Sequence, residues 1–384
     1  MADVVIVGGG HVGLYLASRL AEKGYQITLL EQKENIGERI VCTGIIGIEA
    51  FKQFDLPEDA IIGSIEKIRF FSPSGNYFDY LPPGVLARVV DRHKFNRYFA
   101  EQALGRSARI ETGVHVGKIQ IEKEGVTVTA VKGDGTEAIY NSQILILATG
   151  IQCKLFELAG LQAPKTFLAG AQVHIPFQGE DWTSIYTGGK TAPEAFGWVV
   201  PLETGVARVG LLCEKNPTEY LKKILDRIKP DWRDDTPESA IAIRPVAQGP
   251  LEKSFADRVL VVGEAAGQIK TTTGGGIYYG LLGANVACET VETAFKKSRF
   301  TAHILSSYDR GWKALIGDEL RFGFYCRKFF AQLSDEQIEE LFERMIREEI
   351  LDLAYRSAQF DWHKSLILSI FGLPKIRRLL LNPF

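Results

Sequence analysis

The stretch Val4-Val5-Ile6-Val7-Gly8-Gly9-Gly10-His11-Val12-Gly13-Leu14 decides how the rest of the chain reads. Residues 4–7 form a short, wholly apolar run rich in β-branched side chains, the pattern of a buried parallel strand. The glycines that follow stand in G-x-G-x-x-G spacing. Leu14, Leu16, Ala17, Leu20 and Ala21 then recur at helical spacing, Gly24 ends that helix, and Ile27-Thr28-Leu29-Leu30 reads as a second strand with Glu31 at its tip. The spacing predicts a βαβ unit. In such a unit Gly8 makes the tight turn, Gly10 lets backbone approach a pyrophosphate, and Gly13 lets helix and strand pack closely. The helix start offers free N–H groups and the positive end of a dipole to phosphates. Glu31 reads either as an acceptor for ribose hydroxyls or as a solvated strand end. The first reading fits a dinucleotide, and this unit does not separate FAD from NAD.

A second stretch repeats the theme. Arg258-Val259-Leu260-Val261-Val262 predicts a buried strand, followed by Gly263-Glu264-Ala265-Ala266-Gly267 and then Gly274-Gly275-Gly276-Ile277 leading into a helix. A glycine run of this kind brings backbone N–H groups to a ligand, and Glu264 suits a ribose or ribitol hydroxyl. Ile144-Leu145-Ile146-Leu147-Ala148-Thr149-Gly150 is a further buried parallel strand with a small-residue exit, which permits close approach of a cofactor. Before the helix expected over residues 94–104, Arg92 is a candidate phosphate or flavin contact.

Between these elements the pattern is sheet. Residues 65–81 form a hairpin around Ser72-Pro73-Ser74-Gly75-Asn76. Residues 108–112, 114–121, 126–131 and 138–140 form a meander. Residues 172–176, 183–187, 198–201 and 207–213 fit an antiparallel sheet. Phe196-Gly197-Trp198-Val199-Val200-Pro201 reads as an apolar pocket wall or as sheet core. Arg39-Ile40-Val41-Cys42-Thr43-Gly44-Ile45-Ile46-Gly47 reads as a loop near a ligand. Within it Cys42 is either a flavin-facing thiol or a small buried residue, and Arg39 is a ligand contact or a surface charge.

Composition bounds the rest. The chain has 384 residues with a net charge of −2, 46% hydrophobic and 24% charged residues. That size supports two or three domains, and that charge argues against a nucleic-acid partner. The five cysteines have no C-x-x-C pair, so free thiols in a reducing, cytoplasmic setting and no metal site are expected. The chain opens on a strand, so no secretory leader is expected, and no run approaches the roughly 18 apolar residues of a membrane span. After Ala294 the pattern is helical. Its last stretch, from Leu366 through Lys375, Arg377 and Arg378, reads as a helix docked on the core or as a basic, apolar surface for the cytoplasmic membrane face.

These residues resemble a known family. The Gly8–Gly13 loop with Glu31, the segment 89–95, Ala148-Thr149-Gly150 and the glycines from 263 to 276 are similar to the FAD-containing p-hydroxybenzoate hydroxylase superfamily. Cys42-Thr43-Gly44, Phe196 to Pro201 and the run 263–279 resemble the geranylgeranyl reductase family within it, across nearly the whole chain. Four positions depart from that family: Glu264 stands for its usual Asp, Phe196 and Val200 replace its tyrosine and phenylalanine, and Thr271 replaces a proline.

The resemblance implies an α/β fold. A Rossmann-like FAD-binding domain (1–63, 87–150 and 250–295) carries an inserted antiparallel β-sheet substrate domain (64–86 and 151–249) and a helical C-terminal region (296–384). It implies FAD contacts at Gly8, Gly10, Gly13, Glu31, Arg39, Cys42, Arg92, Val116, Thr149, Gly150, Gly263, Glu264, Gly274, Gly275, Gly276 and Ile277. It implies substrate contacts at Gly44, Ile45, Phe196, Trp198, Pro201 and Tyr278, with Cys42 catalytic. The implied reaction is reduction of C=C bonds in a prenyl lipid or diphosphate, with electrons from NADPH or a ferredoxin-like protein. A flavin monooxygenase of the same fold and an electron-transfer flavoprotein feeding a quinone are the alternatives.

Overall fold

The computed structural model describes residues 1–152, 154–347 and 358–372. Cys153 and the basic residues Lys375, Arg377 and Arg378 lie outside them. The chain divides into two compact units. The first comprises Met1–Ile40, Asp91–Thr166 and Ala247–Arg321; the second comprises Val41–Val90, Phe167–Val246 and Phe322–Phe384.

The first unit is built on a parallel core. Strand Ala2–Val7 lies between Ile27–Leu30 and Glu137–Leu147, which in turn pairs with Val259–Val261. Arg109–Glu111 extends the sheet beyond Ile27–Leu30. Alternation sorts the side chains. Val5, Val7, Leu145, Leu147, Val259 and Val261 share one buried cluster with Phe156 and Leu161. Val4, Ile6, Ile144, Ile146 and Leu260 alternate with them and are also fully buried, so both faces of the sheet are covered. Residues 138–140 and 144–147, expected as separate strands, are one strand of 11 residues. Its first part pairs antiparallel with Val126–Lys132 and its last part pairs parallel with Ala2–Val7, the two partners meeting at Ser142. One long strand therefore serves both the meander and the nucleotide-type sheet.

Helix Arg92–Gly105 begins two residues earlier than its apolar spacing predicts. Asp91 is the reason: its carboxylate accepts from His93 N at 2.8 Å and Lys94 N at 3.0 Å, capping the first turn. Helices His11–Glu22 and Ile277–Lys296 start on Gly10 and Gly276 and have no side-chain cap.

The second unit holds a seven-stranded sheet in the order Ala242–Ala247, Phe167–Pro176, Val206–Cys213, Gly197–Pro201, Thr183–Tyr186, Ile68–Phe71 and Tyr77–Tyr80. The sheet is mixed, because Thr183–Tyr186 runs parallel to Ile68–Phe71 while the other assigned pairs run antiparallel. That join brings the early hairpin into the later sheet. Helix Pro217–Ile228 covers one face through Leu221, Ile224 and Leu225, packed on Val173, Val199, Val209 and Leu211.

A small sheet of Ile45–Gly47, Ala87–Val90 and Ile61–Ile65 completes the unit. These pairings carry residues 41–63 with the second unit, whereas the sequence groups them with the nucleotide-binding segments. The contacts also divide the helical tail at Arg321.

Replacing Asp91 by Ala removes the cap of the Arg92–Gly105 helix and should cost about 1 kcal/mol. A denaturant titration that shows no loss of stability would contradict this assignment of the helix start.

Candidate active site

The first unit gathers both glycine motifs. Gly8 has φ +112°, and a Cβ there would collide with the carbonyl of Ala148. A Cβ on Gly13 would run into Gly8 O and sit 3.3 Å from Ala148 Cβ. Both glycines are therefore required by packing. Gly10 differs: a Cβ there meets nothing within 4 Å, so its backbone borders open space at the start of an uncapped helix.

The second motif closes on the first through Val12. A Cβ on Gly263, whose φ is +77°, would lie 3.1 Å from Val12 Cγ2, and one on Gly280 would lie 2.5 Å from the same atom. Glycine at both positions lets helix His11–Glu22 approach the later strand–loop–helix.

Each loop is braced. The buried Glu31 carboxylate accepts from Gly9 N through one oxygen and from Lys33 N at 2.9 Å through the other. The acid thus ties the second strand's tip to the glycine loop. Each carboxylate oxygen has two lone pairs, so a ribose hydroxyl can still be accepted. Gly9, which spacing alone passes over, is as constrained as its neighbours, since its Cβ would lie 2.9 Å from Glu31 Cβ.

In the later loop, Gly263 N donates to Gln268 Oε1 at 2.7 Å. Gln268 Nε2 donates to Tyr308 OH at 2.8 Å, and that hydroxyl donates to Val261 O at 2.8 Å. Lys270 N donates to Gly275 O at 2.8 Å and Gly274 N to Lys270 O at 2.7 Å, which folds the glycine run back on itself.

The other candidates of this unit fall in different places. Arg92 is buried, with Nη2 3.1 Å from His11 Nδ1 and 3.1 Å from Asn96 Oδ1. It joins the starts of two helices. Thr149 Oγ1 is buried without a hydrogen-bond partner among the described residues, and Gly150 (φ +62°) opens onto free space. Glu264 is half-buried in the turn Gly263–Ala266, and Ile277 and Tyr278 are buried at the start of the following helix. Val116 packs at the edge of the sheet's apolar cluster. Arg39 is brought to none of these groups: its side chain is 86% exposed and paired with Glu38 at 3.2 Å.

The second unit holds the cysteine loop. Arg208 Nη1 donates to the carbonyls of Thr43 and Val90, the latter at 3.1 Å. Thr43 Oγ1 donates to Gln172 Oε1 at 2.7 Å, and Arg244 Nη1 donates to Val41 O at 3.2 Å. Gly44 has φ +76°, with N 3.4 Å from Cys42 Sγ, and a Cβ there would sit 2.5 Å from Val90 O. Residues 41–44 are thus clamped on a rigid sheet.

Sequence reading passes over this clamp. The available signal was Arg208, a charge inside the otherwise apolar run Val206–Cys213 that is 6% exposed in the fold. Cys42 is half-buried. By contrast, burial pushes the thiol of Cys213 up to about 11 and that of Cys288 up to about 12, so both stay protonated at neutral pH.

Ile45 and Trp198 share one apolar cluster with Ile65, Ile68, Tyr80, Val89, Val200 and Phe360. The Phe196 and Trp198 rings lie 5.7 Å apart. Trp198 lies against Gly210, where a Cβ would collide with its ring, and its buried Nε1 has no partner among the described residues. Pro201 ends the same strand.

A mostly parallel sheet with two glycine loops meeting at Val12 defines a dinucleotide-binding fold. Residues 2–175 match the family model of pyridine nucleotide-disulphide oxidoreductases. A structure described as a geranylgeranyl bacteriochlorophyll reductase-like protein from Thermoplasma acidophilum superposes with a TM-score of 0.86, covering 99% of this chain and 98% of that one at 19% identity. The p-nitrophenol 4-monooxygenase of Pseudomonas putida shares the fold, with a TM-score of 0.71, 93% and 98% coverage and 16% identity. The digeranylgeranylglycerophospholipid reductase of Methanocaldococcus jannaschii is 30% identical over 358 residues, 89% of this chain and 90% of that protein. The chain belongs to the geranylgeranyl reductase family.

The contrast between two glycines is testable. Gly10→Val should fold with an unchanged melting temperature but retain less flavin on purification, because its side chain enters open space. Gly13→Val should lower the melting temperature itself. Equal behaviour of the two variants in flavin absorbance and thermal melting would contradict this division of roles.

Proposed function

We propose that the chain is an FAD-dependent reductase that saturates C=C bonds in the geranylgeranyl chain of an isoprenoid lipid or diphosphate. The observation that carries this reading is the likeness to the Methanocaldococcus jannaschii reductase along about nine-tenths of both chains.

The first unit's residues fit FAD. Gly10 leaves room for a pyrophosphate, the uncapped start of His11–Glu22 offers N–H groups, Glu31 has lone pairs for the ribose, and Thr149 Oγ1 has a hydroxyl to share. Gly274, Gly275, Gly276 and Glu264 are assigned to the later loop's contacts with the same cofactor.

An isolated alkene carries no group that polarises it, so its reduction needs two electrons and two protons delivered in a dry, ordered site. Bound in its reduced form, FAD supplies the electron pair. The chain's own residues do the rest. The cluster around Ile45 and Trp198 gives the prenyl chain an apolar surface, worth ~25 cal/mol for each Å² it removes from water. Phe196, Pro201, Gly44 and Tyr278 are assigned to the same task. Cys42 is assigned to positioning the alkene or holding a proton for it, and Arg208, Gln172 and Arg244 fix its loop. The reductant is NADPH or a ferredoxin-like protein.

Among the described residues no helix is long and apolar enough to cross a membrane. Helix Lys364–Phe371 carries Leu366, Ile367, Leu368, Ile370 and Phe371, and none of its residues is buried. We assign it, with the basic residues that follow in sequence, to peripheral contact with the membrane face that holds a lipid substrate.

One experiment tests these assignments together. Dithionite-reduced protein is mixed without oxygen with vesicles carrying a geranylgeranylated glycerophospholipid, or with geranylgeranyl diphosphate. Flavin reoxidation, product mass and co-sedimentation with the vesicles are then read. The expected result is reoxidation with products heavier by pairs of hydrogens, sedimentation with the vesicles, and at least about tenfold slower turnover in Cys42→Ala. Reoxidation only with air, NAD(P)H and a phenol would support a monooxygenase instead. Unchanged turnover in Cys42→Ala would remove that residue from the chemistry.

A further inference from the structure

Arg327 holds a charge that the fold does not explain. It lies in the helix Asp318–Phe330 and is 6% exposed. Its Nε and Nη1 are buried without a hydrogen-bond partner, and no carboxylate lies within ion-pair distance among the described residues. A buried guanidinium normally has its N–H groups filled, because water no longer solvates them.

The nearest acids do not fill them. Glu214 and Glu194 act on Arg327 only through space. Glu214 is exposed, and Glu194 Oε2 accepts from Glu214 N at 3.2 Å. Burial still outweighs both acids and pushes the pKa of Arg327 down.

A second cation stands beside it. The Lys328 ammonium lies 4.8 Å from the centre of the Phe324 ring, and the Arg327 guanidinium lies 5.9 Å from the same centre. Lys328 is exposed and makes no ion pair among the described residues. Two cations therefore gather on one ring, one inside the fold and one at its surface.

The place is informative too. Glu194 lies two residues before Phe196, whose ring meets Trp198 on the apolar wall. Leu212 N donates to Phe196 O at 3.0 Å, so Glu194 and Glu214, the two acids that act on Arg327, each lie two residues from this Phe196–Leu212 pair.

We propose that Arg327 and Lys328 form a phosphate-binding site for the polar end of a prenyl substrate. The substrate part of this proposal rests on the reading of the chain as a prenyl reductase. A phosphate oxygen supplies the acceptors that the planar guanidinium lacks, with bidentate geometry that a lysine at position 327 would not reproduce. The same chemistry would also take free inorganic diphosphate, so the test separates the two sources.

The holoprotein, Arg327→Leu, Arg327→Lys and Lys328→Ala are compared on geranylgeranyl diphosphate and on geranylgeraniol, which has the same chain without phosphate. Thermal stabilisation by inorganic diphosphate is measured alongside. The expected result is that Arg327→Leu lowers kcat/KM for the diphosphate relative to the alcohol by at least about tenfold, mostly in KM. Arg327→Lys should recover part of that ratio. Lys328→Ala, at the exposed rim, should shift it in the same direction by less and serves if Arg327→Leu fails to fold.

An unchanged ratio in both Arg327→Lys and Lys328→Ala would overturn the substrate role, even if inorganic diphosphate stabilised the protein. If the unaltered protein reduces neither compound, the reductase reading fails. Loss of diphosphate stabilisation in the variants would then still support a phosphate site, and its retention would overturn one.

Discussion

The carbonyl of Gly8 occupies the space that any side chain on Gly13 would need. Much of the first unit depends on this contact. It holds the first turn of His11–Glu22 against the end of the first strand, so that an uncapped helix start borders the open space beside Gly10. The same helix then places Val12 against Gly263 and Gly280. Two motifs far apart in sequence become neighbours because two glycines, Gly263 and Gly280, let one valine approach. A side chain at either of them would separate the elements before any ligand was considered.

Much of this was legible in the sequence, for a physical reason. Glycine spacing, β-branched runs and an acid at a strand tip are local signals, and each constrains backbone geometry directly. Residues 8–13, Glu31, and 263–276 could therefore be read in order. Harder to read were features that depend on partners distant along the chain. Strand Glu137–Leu147 serves two sheets, and its continuity at Asn141 and Ser142 is set by its neighbours on both sides. The parallel join of Thr183–Tyr186 to Ile68–Phe71 has no local signature.

The cysteine loop shows the same limit. Cys42 and Gly44 stand out as sequence, yet what fixes them are Arg208, Gln172 and Arg244, each more than a hundred residues away. A buried arginine in an apolar strand was the only local hint. Arg39 illustrates the opposite case: its side chain is exposed and paired with the neighbouring Glu38, and a surface charge beside a motif looks the same in sequence as a ligand contact. Arg327 was passed over because it lies in a polar helix whose burial is decided by the fold.

We assign the Gly8–Gly13 loop and Glu31 to the pyrophosphate and adenosine half of the dinucleotide. Titrating flavin-free protein with FAD and with FMN, and following the quenching of flavin fluorescence, reads this directly. One FAD should bind per chain, with FMN bound at least about a hundredfold more weakly. Equal affinity for FMN and FAD would contradict the assignment, because the Gly8–Gly13 loop and Glu31 would then contribute nothing to binding.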